Sequence, residues 1–176
     1  MSSPTFTHAE VIRRSAQHGI SVFTEKPVDE TALKIESLFR ISKEAGIHLC
    51  CGFQRRFDTS YTAAIEALPR IGTPVAAHLT FYDHPCSPLD FLLEGGNIAM
   101  DLAPHDIDYI RHALQDEVVS VYASGSSSTD QLKAADVYDN ATLMMKFSKG
   151  KFDHDGIQLC LFAHPNIHQE LLPHSS

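Results

Sequence analysis

Positive charge is scarce in this chain. Its 176 residues carry 14 lysines and arginines against 22 aspartates and glutamates, a formal net charge of -8, and the sequence pI is near 5.7. Such a surface repels phosphate backbones and anionic lipid, so neither nucleic acid nor a membrane is an expected partner. Arg13-Arg14 and Arg55-Arg56 are short pairs, not patches. No apolar run approaches the roughly 18 residues that a membrane helix needs, and the amino terminus lacks the apolar core of a signal peptide. A cytoplasmic location is the expectation. Cysteine is sparse as well. Of the four, Cys50 and Cys51 are adjacent, and neither Cys86 nor Cys160 completes a Cys-x-x-Cys pair, which argues against a disulfide framework or a zinc knuckle and leaves buried free thiols as the plain reading. The 11 histidines form no His-Glu-x-x-His helix, so no metal site is expected.

What is present suits a globular α/β piece. With 43% hydrophobic residues, the chain can bury one or two small cores, and it contains no internal repeat. Apolar periodicity and stop signals predict a helix over 7–18 ending at Gly19, a strand over 21–24, a helix over 29–45 capped near Asp29, and a strand over 47–52. This alternation is that of a doubly wound parallel sheet. Beyond it come a short helix over 59–68 closed by Pro69, a strand over 75–82, a helix over 104–114, and strands over 117–124 and 138–147 separated by a flexible turn at 125–129. Helix packed among sequential strands predicts an α+β sheet domain.

The segment from Gly95 to Asp108 concentrates chemistry. At about 3.6 residues per turn, Asp101, His105 and Asp108 fall at i, i+4 and i+7, so one helical face would present carboxylate, imidazole and carboxylate. Such a group can take, give and orient a proton, and in principle hold a divalent ion. A His between two acids also arises as a solvated surface pair, and these residues alone do not choose. Gly95-Gly96 permits close backbone approach to a ligand. Pro104 fits the first turn of the helix, with Asp101 as its cap or just before it. Farther upstream, Val22-Phe23-Thr24-Glu25-Lys26-Pro27 reads as a strand ending in a turn, which puts Lys26 where open α/β sheets bind ligands; an exposed loop lysine paired with Glu25 is the plainer alternative.

Glu25-Lys26-Pro27, then Gly52-Phe53-Gln54-Arg55-Arg56-Phe57-Asp58, then Gly95-Gly96 with Asp101-x-x-x-His105, resemble in order and spacing the Gfo/Idh/MocA oxidoreductase family, most of all its myo-inositol 2-dehydrogenases. The opening Pro4 to Ile12 resembles that group's middle Rossmann segment, and the likeness covers about positions 3 to 149. It implies a carboxyl-terminal remnant of an NAD(P)-binding Rossmann domain over 1–54, an α+β substrate domain with a mostly antiparallel open sheet over 55–150, and a divergent tail over 151–176. Family members begin with a Gly-x-Gly-x-x-Gly turn that cradles the dinucleotide pyrophosphate. The nine glycines here contain no such spacing, so the sequence is expected to be truncated at its amino terminus, and at its carboxyl terminus as well.

The resemblance implies hydride transfer between NAD or NADP and a secondary alcohol of a cyclic polyol or sugar. His105 would be the base, Lys26 would stabilise charge developing on the alcohol oxygen, and Asp101 would orient and support them. Glu25, Lys26, Pro27, Gln54 and Arg55 would line the cofactor, while Asn97 and Asp108 would hold substrate hydroxyls. For Arg55, Arg56 and Asp58 an ion pair is an equally good reading, His8 reads as a structural partner, and Phe53, Phe57, Phe81 and Tyr82 read as core. The family's association through the open face of its carboxyl-terminal sheet implies a homo-oligomer. The alternative to a dehydrogenase is a catalytically inactive truncated form that acts at most as a binding or oligomerisation module.

Overall fold

The computed structural model describes residues 1–72, 74, 76–82, 88–95, 98–148 and 157–162. The chain divides into two compact units, the first ending at Arg55 and the second beginning at Arg56. Among the described residues no helix is long and apolar enough to cross a membrane.

The first unit runs α1 (Thr5–Gln17), β1 (Val22–Thr24), α2 (Ala32–Glu44), β2 (Leu49–Cys51). The two strands pair in parallel, Val22 opposite Leu49 and Thr24 opposite Cys51, as a helical crossover permits and a tight hairpin does not. Ile12 of α1, Leu38 of α2, Val22 and Val28 form one buried cluster, with Leu49 and Cys51 packed against it. Both helices therefore cover the same face of the strand pair. Strand side chains alternate between faces, so Phe23 and Cys50 point the other way and are exposed. The expectation of buried thiols is thus corrected at Cys50. The start of α2 is corrected too: its cap is Thr31, whose extended backbone aims Oγ1 at the Lys34 amide 3.4 Å away. Asp29 and Thr31 are both good capping types, but the Asp29 carboxylate is buried and occupied by the Glu30 amide at 2.7 Å and the Lys34 ammonium at 3.3 Å.

In the second unit a 3-10 turn (Gln54–Phe57, its first two residues belonging to the first unit) leads into α3 (Thr59–Ile71), then β3 (Ala77–Tyr82), α4 (Leu89–Gly95), α5 (Ile98–Asp101), α6 (Ala103–Leu114), β4 (Val118–Ser126), α7 (Asp130–Ala134), β5 (Asn140–Phe147) and β6 (Ile157–Phe162). Asp58 caps α3 by accepting from the Ser60 and Tyr61 amides at 2.8 and 3.2 Å. Pro69 does not close that helix. It sits in the last turn, and the chain leaves the helix at Gly72 with φ of +75°, a left-handed value that glycine adopts without strain. The strands form one sheet in the order β3-β6-β5-β4. β4 and β6 flank β5 antiparallel, and β3 pairs with β6 in parallel, so the sheet is mostly antiparallel. The strand β6, to which the sequence reading gave no element, lies inside the sheet.

Leu143, Met145 and Phe147 alternate along β5 and pack with Ile98 of α5 and Ala103, Ile110 and Leu114 of α6. This core seats both short helices on one face of the sheet. Phe57, read as core, is 85% exposed. Two short helices, α4 and α7, stand where no helix was expected; α7 is capped by Thr129 Oγ1, 3.3 Å from the Leu132 amide, and Gly125 and Ser126 belong to β4 and not to a turn. The loop ahead of β5 is closed by Asp139, fully buried, which accepts from the Ser128 amide at 2.8 Å, Asn140 Nδ2 at 2.9 Å and the Ser128 hydroxyl. Asp139→Ala is expected to lower unfolding stability by about 2–3 kcal/mol, because three donors lose a buried acceptor. Urea denaturation checks it, and a change below about 0.5 kcal/mol, the range of an ordinary surface substitution, would count against this closure.

Candidate active site

The first unit carries its polar groups at the carboxyl ends of β1 and β2, the side on which parallel sheets of α/β proteins bind ligands. Thr24, fully buried, donates from Oγ1 to the Glu25 carbonyl at 3.2 Å and accepts on its own carbonyl from the Gly52 amide at 2.8 Å. Those bonds align the two strand ends where Glu25, Lys26 and Pro27 turn away. The Lys26-Pro27 peptide is cis. Glu25 is exposed, and Lys26 and Pro27 are half-buried. A side chain at Gly52 would bring its Cβ to 3.1 Å from Glu25 Oε2 and 3.3 Å from Phe23 Cζ. Glycine there lets the carboxylate lie over the end of β2. Gln54, exposed, and Arg55, half-buried, open the 3-10 turn that follows.

In the second unit the acidic and imidazole groups sit at a helix break. Pro104 has no amide hydrogen to offer the carbonyl four residues back, and its ring crowds the preceding turn. The helical path is therefore interrupted: Leu102 donates to the Ile98 carbonyl at 2.9 Å, and His105 reaches only three residues back, to the Leu102 carbonyl at 3.2 Å. Asp101 closes α5, Leu102 is the cap residue of α6, and Pro104 lies in the first turn of α6 as expected. Of the two places expected for Asp101 the structure has the second, just before the cap, and the break leaves no single continuous face for Asp101, His105 and Asp108. Asp101 and His105 are half-buried on the two sides of this break. The Ile98 amide donates to the Tyr138 carbonyl at 3.1 Å, which ties α5 to the loop that Asp139 closes. Asn97 lies outside the described residues.

Asp108 is held by Arg56. The guanidinium meets both carboxylate oxygens, Nε to Oδ2 at 2.8 Å and Nη2 to Oδ1 at 2.5 Å. This fork geometry is stronger than a single charge contact. The Asp108 side chain is 6% exposed and that of Arg56 41%, so most of the carboxylate surface expected to hold a hydroxyl is covered. The bond to Asp108 raises the Arg56 pKa above its ordinary value, against the opposing effect of burial. Beside it on α6, the Tyr109 phenol is pushed up, first by burial and then by Tyr61, whose ring stands edge-on at 4.6 Å. Neither the Arg56 partner nor the role of Gly52 was named from sequence; the run Gly52 to Asp58 drew attention to both residues, but the pairing across 52 positions has no local signature. Among the described residues no group of three or more metal-ligating side chains occurs.

Arg56→Ala is expected to cost about 1–3 kcal/mol, less than a fully buried pair because the arginine is partly solvated, with Arg56→Lys intermediate for lack of the fork. Urea unfolding of Arg56→Ala, Asp108→Asn and the double variant would yield a coupling of similar size, and additive losses would contradict it.

Comparison with known proteins agrees with these motifs. Residues 1–53 match an oxidoreductase family with an NAD-binding Rossmann fold, and residues 64–153 match the GFO/IDH/MocA C-terminal domain. An inositol 2-dehydrogenase of Rhizobium meliloti (strain 1021) is 33% identical over 152 residues, 85% of this chain and 46% of that protein. A myo-inositol 2-dehydrogenase of Thermotoga maritima is 34% identical over 152 residues, 84% of this chain and 45% of that protein. Among solved structures, the scyllo-inositol dehydrogenase of Lactobacillus casei with bound NAD(H) and scyllo-inositol superposes with a TM-score of 0.77 at 25% identity, over 91% of this chain and 48% of that one. The chain spans about half the length of the curated relatives it matches. Matched through both of its units, the chain belongs to the Gfo/Idh/MocA oxidoreductase family.

Proposed function

We propose that this chain serves hydride transfer between NAD or NADP and a secondary alcohol of a cyclic polyol or sugar, with inositols as the substrate class. The observation that carries this reading is the set Lys26, Asp101 and His105, each on a turn or helix end that its own unit holds, in a chain whose relatives are named inositol dehydrogenases. The nicotinamide side of a dinucleotide suits the first unit: Gly52 leaves open the space a Cβ would fill, at the strand ends where such ligands bind. Glu25, Lys26, Pro27, Gln54 and Arg55 would hold it there, and when bound it accepts the hydride.

The chain's own residues do the rest. His105, as general base, takes the hydroxyl proton; an imidazole titrates nearest neutrality, which suits it to that work. Asp101 orients the ring and stabilises the imidazolium that forms. The Lys26 ammonium stabilises the developing alkoxide charge and lowers the effective pKa of the alcohol. Asn97 and Asp108 are assigned to neighbouring hydroxyls, Asp108 through the lone pairs that Arg56 leaves over. A homo-oligomer through the open sheet face is supported by Tyr122 and its register partner Met144, 68% and 38% exposed on the side away from the core. A cytoplasmic setting is part of this reading, supported by the acidic composition of the sequence.

The other outcome of the test is a chain that keeps the family fold without turnover. Titration with NADH, followed by nicotinamide fluorescence, separates the two. Saturable micromolar binding, weakened roughly 10- to 150-fold by Lys26→Ala, is the expected result. Inositol-dependent NADH formation should then fall about 10²- to 10⁴-fold in His105→Ala. No binding at millimolar NADH, by protein shown to be folded, would favour the inactive form.

A further inference from the structure

His8 is a polar ring in an apolar place. It lies on the face of α1 that carries the buried Ile12 and Ala16, and it is 1% exposed. Its Nδ1 is 3.0 Å from the Pro27 carbonyl oxygen and its Nε2 is 2.8 Å from the Ser3 carbonyl oxygen. Carbonyls only accept, so each contact is a hydrogen bond only when that ring nitrogen carries a proton. Thr24 Oγ1, 3.4 Å from Nδ1, already donates to the Glu25 carbonyl. With its hydroxyl hydrogen directed there, Thr24 does not compete for Nδ1, which leaves that nitrogen free to carry the proton that the Pro27 carbonyl accepts. Proline has no amide hydrogen, so its carbonyl is the one backbone group through which residue 27 can be tied to the scaffold. That carbonyl directly follows the Lys26-Pro27 peptide, in the turn that carries Glu25 and Lys26.

We infer that His8 is a positioning residue, which through Nδ1–H to the Pro27 carbonyl holds the Glu25-Lys26-Pro27 turn at the end of β1 and so sets where the Lys26 ammonium is presented. The part concerning Lys26 chemistry rests on the proposed function; the tether itself does not. The tether joins α1, which carries no residue of the proposed site, to the turn that carries three of them.

The side-chain amide of Asn places its nitrogen close to Nδ1 of a histidine, and that of Gln places it close to Nε2. His8→Asn therefore keeps a donor for Pro27, while His8→Gln keeps one only for Ser3. Labelling proline carbonyls with carbon-13 and valine amides with nitrogen-15 isolates two peptide groups of the whole chain, Pro27-Val28 and Pro74-Val75. In the full chain the Pro27-Val28 signal should hold its place in His8→Asn and move in His8→Gln and His8→Ala, with Val28 amide exchange faster by roughly fivefold to tenfold, while Pro74-Val75 stays put in all three. An unmoved Pro27-Val28 signal in His8→Gln and His8→Ala overturns the inference. Should those variants not fold, the unaltered chain decides: a coupling from a protonated histidine Nδ1 across the hydrogen bond to the Pro27 carbonyl carbon is expected, and an Nδ1 without a proton overturns it. NADH affinity provides the functional arm, retained in His8→Asn and lost in His8→Gln. If the Pro27-Val28 signal moves as stated while no form of the chain binds NADH, the tether stands and the dehydrogenase reading falls.

Discussion

Backbone groups that leave helices and strands must still be hydrogen-bonded once they are buried, and a few buried polar side chains meet that constraint throughout this fold. His8 faces two carbonyls, Asp29 takes the Glu30 amide, and Asp139 takes the Ser128 amide. Asp116, also buried, accepts from the Glu117 amide and the Ser148 hydroxyl at 2.8 and 2.5 Å, which fastens the start of β4 to the end of β5. Each lies in or beside an irregular segment, and each joins it to something regular. Without them the same segments would leave amides and carbonyls in low-dielectric surroundings with no water to receive them.

The proposed site inherits its order from those ties. Lys26 follows a three-residue strand that by itself would fray. It is framed by the Thr24 hydroxyl, the Gly52 amide and the His8 ring. Asp101 stands on a single helical turn, too short to be stable alone; Ile98 at its start is buried in the sheet core and donates its amide to the Tyr138 carbonyl. His105 follows the break that Pro104 imposes, on a helix seated by Ile110 and Leu114. Arg56 neutralises Asp108 on that same helix. The groups proposed to handle protons are thus mounted on ends and breaks, while rigidity comes from neighbouring apolar and polar packing.

Much of this was legible in the residues because it is local. The alternation along 77–82 and 140–147, the stop at Gly19, the first-turn Pro104 and the lysine turn after β1 all depend on neighbours a few positions away. Legibility failed where two local choices were equally good or where burial decided. Asp29 and Thr31 both suit a cap, and only the burial of Asp29 against Lys34 separates them. Pro69 reads as a stop but is tolerated in a last turn that Gly72 ends. Phe57 and Cys50 are apolar enough for a core, yet stand exposed in the positions their elements allot them.

Taken alone, the sequence determined the helix and strand alternation of the first unit, and its ordered motifs carried the resemblance to the family, which in turn implied the mostly antiparallel sheet of the second and the residue types a dehydrogenase site would use. These are properties of composition, period and ordered motif, and they survive without knowledge of distant contacts. Tertiary structure decided that Asp108 serves Arg56, that β6 enters the sheet between β3 and β5, and that the ring of His8 lies against the turn carrying Lys26. Each of those joins residues 12 or more positions apart, where no local periodicity acts and where the hydrogen-bonding demands of buried groups choose the partner.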